Sequence, residues 1–201
     1  MNAPRAAEQH PIEAAIRAVE EQFLLGVPGT SEVLLIRHGD CYDGLRVEDQ
    51  DDPPLSALGR TQTQALAGRL AGTPLAAVYT SDLRRARETA AALGHDVVLD
   101  PRLQEAAIDW GEGMRFTETI AEVAVRVART VDDAVARHPG QRIAMVSHGG
   151  AIMAYLSRLL KLEPPGLRLL PDFTSVSVVR AREQDRVVGS IADATHLKPA
   201  S

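Results

Sequence analysis

Short branched apolar runs alternate with stretches of helical periodicity along almost the whole chain, and this alternation restricts the fold more than any other feature of the sequence. Pro11–Leu25 places Ile12, Ile16, Val19 and Phe23 three or four positions apart, which predicts an amphipathic helix opening on a proline. Glu32–Ile36 reads as a buried strand, and the polar, acidic, proline-ended stretch Cys41–Pro54 reads as a loop. Ser56 can cap a helix over Ala57–Ala71. Ala76–Thr80 reads as a second strand, after which Ser81 can cap a helix over Asp82–Leu93, and Val97–Leu99 is a third strand. A long helix over Thr117–His138, a strand over Arg142–Ser147, a helix over Ala151–Leu162 and two closing strands, Ser175–Ala181 and Arg186–Ala192, complete the order. Strands interleaved with helices of this length predict an α/β fold: a three-layer sandwich whose central sheet is mostly parallel and carries helices on both faces.

The chain has 201 residues, 45% of them apolar, enough for one substantial core and too few for two. The reading is therefore one domain, residues 31–201, preceded by a helical extension, residues 1–30. That extension either covers this domain or pairs with another copy, the first being preferred, and the oligomeric state is left open. A net charge of −5 argues against nucleic acid as a partner, because phosphate-backbone affinity needs a clustered basic surface. No apolar run approaches the length of a bilayer crossing, and the charged N-terminus does not read as a signal peptide, so no membrane partner and a cytoplasmic location are expected. Cys41 has no second cysteine with which to form a disulfide or a thiolate metal site. The predominance of arginine over lysine and the abundance of alanine hint at a GC-rich bacterial genome.

Three polar segments follow predicted strand ends: Arg37-His38-Gly39, Ser81 to Arg85, and His148-Gly149. In open α/β sheets, ligands bind beyond the carboxyl ends of the strands, so these segments converge on one crevice. Their residue types suit phosphoryl transfer. That chemistry depends on positioning and on cationic stabilisation of the equatorial oxygens. Arginine supplies a planar fork that pairs with phosphate and stays charged, and Arg37 and Arg85 are the candidates. A neutral histidine can attack phosphorus, and a carboxyl group can protonate the departing oxygen and later activate water.

Leu35-Ile36-Arg37-His38-Gly39 resembles the signature of the histidine phosphatase (phosphoglycerate mutase-like) superfamily. Three further segments resemble its pattern in order: Leu55 through Gln62, Ser81 through Ala90, and Val146-Ser147-His148-Gly149-Gly150. The likeness runs over roughly residues 32–197 and includes the closing Asp193-Ala194-Thr195-His196-Leu197. It implies that His38 is transiently phosphorylated, that Arg37, Arg85 and His148 hold the phosphoryl group, and that Glu105, in Arg102-Leu103-Gln104-Glu105, is the acid. Catalytic roles thus fall on His38, Glu105 and His148. Glu112 is a rival for the acid, since Asp109-Trp110-Gly111-Glu112-Gly113 departs from the family spacing by about one position. Asp40 and Gly44 also depart: the family more often carries glutamate, glutamine or alanine at the first and a phosphate-contacting asparagine at the second.

Bland readings remain for individual residues. Arg84 and Arg87 are a solvated helix face, and Glu48, Asp49, Asp51 and Asp52 a solvated loop that would disfavour highly anionic substrates if it lined the mouth. Cys41 is a spectator, because a cysteine-phosphatase reading wants an arginine where the chain has Val47. His10, His95, His138 and His196 show no paired ligand spacing, so no metal and no cofactor are expected. The overall reading is a histidine acid-type phosphatase acting on phosphomonoesters, with a small phosphorylated metabolite as the expected substrate and a phosphoprotein as a second class. The alternatives are a phosphoglycerate mutase-type phosphotransferase and a catalytically inactive phospho-ligand-binding protein. Hydrolysis is preferred because only about forty residues separate Glu105 from His148, where the family inserts its cap, and a predicted helix and strand take up most of them, leaving a reduced cap.

Overall fold

The computed structural model describes residues 11–44, 46, 51–106, 108–109, 115–162 and 169–197. In chain order the elements are α1 (Pro11–Gln22), β1 (Ser31–Arg37), α2 (Ala57–Leu70), β2 (Ala77–Thr80), α3 (Arg84–Ala91), β3 (Val97–Leu99) and a 3₁₀ turn (Pro101–Leu103). There follow β4 (Ile108–Asp109), β5 (Arg115–Phe116), α4 (Ile120–Arg137), β6 (Arg142–Ser147), α5 (Gly149–Leu159), β7 (Val176–Arg182), β8 (Asp185–Asp193) and a 3₁₀ turn (Thr195–Leu197). Six strands form one sheet in the order β3-β2-β6-β1-β7-β8. The pairs β3/β2, β2/β6 and β6/β1 are parallel, whereas β7 runs antiparallel to β1 and β8 antiparallel to β7. The expected mostly parallel α/β sandwich is thus the observed one, with an antiparallel edge contributed by the closing hairpin.

The continuous apolar character of β1 follows from its position inside the sheet. Successive side chains point to opposite faces, and both faces are covered. Val33 and Leu35 join Tyr79, Ile143 and Met145 in a core closed by Val123, Val127 and Val131 of α4 and by Ile152, Tyr155 and Leu156 of α5. Leu34 and Ile36 join Val78, Ala144 and Val146 on the other face, under Leu66 of α2 and Ala86 and Ala90 of α3. Each fully buried valine or leucine in these layers contributes roughly 1.5–3 kcal/mol relative to exposure.

Element ends differ from the sequence reading where side chains serve the tertiary structure. Ser56 does cap α2, accepting from Gly59 N at 2.9 Å. Ser81 does not cap α3: the helix opens after Leu83 without a side-chain cap, and the Ser81 hydroxyl is engaged elsewhere. The long helix begins at Ile120 rather than Thr117, behind a capping box in which Thr119 and Glu122 satisfy one another's backbone amides. The helix expected at Ala151 begins at Gly149, which makes His148 its N-cap residue. The apolar stripe of α1 does not cover the domain in this structure, where Ile12 is 63% exposed and Ile16, Val19 and Phe23 are exposed as well. Between Glu105 and α4 the described residues include the short ribbon of β4 and β5. Glu48, Asp49, Trp110, Gly111, Glu112 and Gly113 lie outside the described residues.

Candidate active site

The sheet order explains why the distant segments meet. Strand β6 lies between β1 and β2, so the C-terminal ends of three adjacent strands place His148, His38 and Ser81 side by side. The ladder continues past the strand ends: His38 N donates to Ser147 O at 3.0 Å, and Ser81 N to Val146 O at 3.0 Å. Glycine is required at position 39, where a Cβ would stand 2.8 Å from the Gly59 carbonyl oxygen. A side chain at Gly59 would meet the Asp40 carbonyl at 2.0 Å, so the loop after β1 and the start of α2 are packed backbone to backbone. Asp40 locks that contact by accepting from Ser56 Oγ at 2.6 Å and Asp43 N at 3.0 Å.

His38 is buried, and its Nδ1 lies 2.7 Å from its neighbour's carbonyl oxygen, Gly39 O. A carbonyl can only accept, so the ring proton is on Nδ1 and the lone pair is on Nε2. Arg85 Nε donates to that Nε2 at 3.3 Å, in agreement. Burial, reinforced by the Arg85 and Arg37 charges, pulls the His38 pKa down to about 3, so the imidazole is neutral at physiological pH. It presents an unprotonated nitrogen beside a guanidinium, which is the state a nucleophile needs.

His148 is fully buried, with its ring centroid 5.0 Å from that of His38. Its Nε2 is 2.9 Å from Ser81 Oγ, and that hydroxyl oxygen accepts from Leu83 N at 3.3 Å. Among the described residues His148 Nε2 is the acceptor within reach of the serine hydroxyl proton, and accepting it leaves the His148 proton on Nδ1. This Nδ1 has no partner among the described residues, and neither has the buried Arg37 Nε. Buried donors without acceptors are uncommon in folded proteins, and two of them beside His38 fit an anion placed between them. His148 also stands at the N-terminus of the 11-residue α5, where the helix dipole favours negative charge. Arg37 is held by two contacts: its Nη1 donates to Pro171 O at 2.6 Å, and its guanidinium carbon lies 3.8 Å from the Phe173 ring centroid. Burial lowers the Arg37 pKa from its ordinary value, with the Tyr42 and Glu105 charges opposing.

Glu105 lies at the same helix end. Its Oε1 accepts from Ala151 N at 2.9 Å and Ala106 N at 2.9 Å, and its Oε2 from Gly150 N at 3.1 Å. A Cβ at position 150 would sit 2.5 Å from Glu105 Oε1, so the second glycine of the His-Gly-Gly segment makes room for this carboxylate. Asp52, from the acidic loop, reaches the site: its Oδ1 is 3.8 Å from Arg85 Nη1 and accepts from Arg84 N at 2.8 Å. Burial pushes the pKa of Cys41 up to about 11, so it is a neutral thiol. Among the described residues, no cluster of three or more histidine, cysteine, aspartate or glutamate side chains is arranged to hold a metal.

Sequence reading missed several supports. Local sequence makes Ser81 a helix cap, whereas its hydroxyl meets a partner 67 positions away. Arg126 of α4 carries no local signal, yet it donates to the carbonyls of Arg102 at 2.8 Å, Gln104 at 2.7 Å and Glu105 at 2.9 Å, while Glu118 pairs with it at 2.8 Å. It fixes the backbone that carries Glu105. Arg126→Met is accordingly expected to lower kcat at least about tenfold on alkyl phosphates while changing p-nitrophenyl phosphate turnover much less, with Arg126→Lys in between. The pair of steady-state assays decides it: an equal loss on both substrates would show a general packing role.

Phe173 and the Pro171 carbonyl, which hold Arg37, also lie in a segment without a recognisable motif.

The chain is similar to known proteins over most of its length. The model of the histidine phosphatase superfamily (branch 1) matches residues 33–122 and 114–194. A probable phosphoglycerate mutase GpmB of Yersinia enterocolitica is 30% identical, the match covering 83% of this chain and 94% of the relative. A metal-independent phosphoserine phosphatase of Arabidopsis thaliana is 28% identical, with 83% of each chain covered. Among solved structures, Bacillus stearothermophilus YhfR superposes with a TM-score of 0.72 at 24% identity, over 84% of this chain and all of that one. The mycobacterial glucosyl-3-phosphoglycerate phosphatase does so with a TM-score of 0.61 at 29% identity, over 74% of this chain and 90% of that one. With the family pattern matched across both histidine segments, and with those segments folded into one buried crevice, the chain belongs to the histidine phosphatase superfamily.

Proposed function

We propose that this protein is a phosphatase that hydrolyses phosphomonoesters through a phosphohistidine on Nε2 of His38. The observation that carries the reading is the state of the two histidines and Arg37. His38 Nε2 is unprotonated, and Arg37 Nε, on the preceding residue, and His148 Nδ1, on a ring whose centroid is 5.0 Å from that of His38, are buried without partners among the described residues. In this reading Arg37, Arg85 and His148 bind the equatorial phosphoryl oxygens as charge develops on them. His38 Nε2 forms the N–P bond as the ester P–O bond breaks, and Glu105 delivers a proton to the departing oxygen. Glu105 then takes a proton from water, the water oxygen bonds to phosphorus, and the N–P bond breaks to release phosphate. Guanidinium groups supply the positive charge, and the proposal calls for neither a cofactor nor a metal.

The finer assignments belong to the same proposal. The enzyme is a histidine acid-type phosphatase of a bacterial cytoplasm, built as a domain over residues 31–201 with a helical extension over residues 1–30. Its substrate is a small phosphorylated metabolite. The solved relatives from Entamoeba histolytica bound to phosphoserine and to 3-phosphoglyceric acid and the mycobacterial phosphatase support that class. Among the described residues no helix is long and apolar enough to cross a membrane.

Hydrolysis rather than mutase activity is expected because a mutase has to retain its intermediate and exclude water, and the acidic Asp52 beside Arg85 disfavours a bisphosphorylated intermediate. The deciding experiment measures phosphate release from monoesters alongside a coupled assay for interconversion of 2- and 3-phosphoglycerate with added bisphosphoglycerate. Phosphate release with negligible interconversion is the expected result. Mutase turnover outpacing release would assign the chain to the transferase reading instead.

A further inference from the structure

Apolar and acidic side chains stand together beside the phosphoryl site. Phe173 packs on Arg37, and its ring centroid is 5.7 Å from that of His38. Tyr42 stands 6.0 Å from Phe173 at an interplanar angle of 53°, a separation typical of paired aromatic rings. Tyr42 is 57% exposed and lies within electrostatic reach of Arg37, Arg85 and Glu105. Leu170, 65% exposed, carries its Cδ1 2.9 Å from where a Cβ of Gly149 would be, next to His148. Two exposed apolar side chains, Tyr42 and Leu170, and the half-buried Phe173 thus stand close to Arg37 and the two histidines. Exposed apolar surface gathered at a polar cleft marks a ligand contact.

The charges at the same rim are negative. The Asp52 carboxylate approaches Arg85, and Asp172, adjacent to Phe173, lies within electrostatic reach of Arg37. The nearby Arg84 is paired with Glu88 at 2.8 Å. A phosphoryl dianion entering between Arg37 and Arg85 is compensated there, but a second anionic group on the alcohol would meet Asp52 or Asp172.

Resting on the phosphatase reading above, we infer that the site selects monoesters of uncharged aromatic alcohols, whose ring packs against Tyr42, Phe173 and Leu170, and disfavours phosphates that also carry a carboxylate. The inference separates this chain from the Entamoeba histolytica relatives bound to phosphoserine and to 3-phosphoglyceric acid. The discriminating forces are apolar burial of the ring and repulsion of the carboxylate, each worth one or two orders of magnitude in specificity.

The test compares 2-phenylethyl phosphate with 3-phosphoglycerate and O-phosphoserine. All three esters leave as primary alkoxides, so the ratio of their kcat/KM values reports the mouth rather than leaving-group reactivity. The expected ratio favours the phenylethyl ester by at least about tenfold. Tyr42→Ala should lower it by reducing kcat/KM for the phenylethyl ester more than for the carboxylates, and Asp52→Asn should lower it by raising kcat/KM for 3-phosphoglycerate. A wild-type ratio at or below one, or a ratio that neither variant moves, overturns the inference while the phosphatase reading stands. Failure to hydrolyse all three esters and p-nitrophenyl phosphate as well overturns both.

Discussion

His38→Ala should abolish turnover, lowering kcat by at least about 10⁴-fold, because among the described residues no other unprotonated nitrogen lies against the Arg85 guanidinium. Rapid quenching of the wild type with a monoester should trap phosphate that is acid-labile and base-stable, on His38, and the alanine variant should trap none. Its circular dichroism should match the wild type, since Gly39 and Asp40 hold the loop independently of the imidazole, through Thr89 Oγ1 and Gln62 Oε1 respectively. Acid stability provides a second reading of the same variant. The His38 pKa of about 3 in the folded protein lies below the ordinary 6.5, so below pH 6.5 the unfolded chain binds a proton that the folded protein refuses. Its contribution to stability is complete above that pH and is lost as the pH falls toward 3, at up to about 1.4 kcal/mol per pH unit. His148 is shifted in the same direction by the same burial. Denaturant melts of His38→Ala should therefore decline less steeply than the wild type across that window. Substantial turnover by the variant would rule out His38 as the nucleophile.

Glu105→Gln should produce the second largest effect, and one that depends on the leaving group. A general acid contributes about 10²–10⁴-fold where the departing oxygen is a poor leaving group and little where it is a good one. Losses in kcat of that size are expected for alkyl phosphates, against less than about tenfold for p-nitrophenyl phosphate. The substitution also carries a structural cost that has to be separated from the chemical one. Both carboxylate oxygens accept backbone amides, from Gly150, Ala151 and Ala106, and the glutamine NH₂ must turn toward one of those donors. About 1–3 kcal/mol of stability should be lost, visible as a lower Tm at any substrate, whereas the leaving-group dependence appears only in the kinetics. Equal losses on both substrates, or a larger selective loss for Glu112→Gln, would move the acid role away from Glu105.

Much of this architecture is legible in the residues themselves. The unbroken apolar run of β1 says that both faces of the strand are covered, and Val33 and Leu34 do enter opposite cores. The glycines after His38 and His148 are likewise readable, although their reasons differ: Gly39 avoids the Gly59 carbonyl, and Gly150 admits a carboxylate from 45 positions away. The apolar stripe of α1 misled, because periodicity reports that a helix has an apolar face and not what lies against it.

By itself, the sequence determined the order of strands and helices, the two-sided burial of the sheet and the types of residue gathered at the strand ends, since these follow from periodicity and composition over a few neighbouring residues. Only the tertiary structure decided how those residues are aimed. That Nε2 rather than Nδ1 of His38 is left unprotonated beside Arg85 follows from a carbonyl position, and the free nitrogen of His148 follows from Ser81, a helix cap in the local reading. Arg37 is braced by a carbonyl 134 positions away, and the Glu105 backbone by an arginine 21 positions on. Such contacts leave no trace in local spacing because a hydrogen bond depends on distance and direction in space, and the sheet order that sets both is a property of the folded chain.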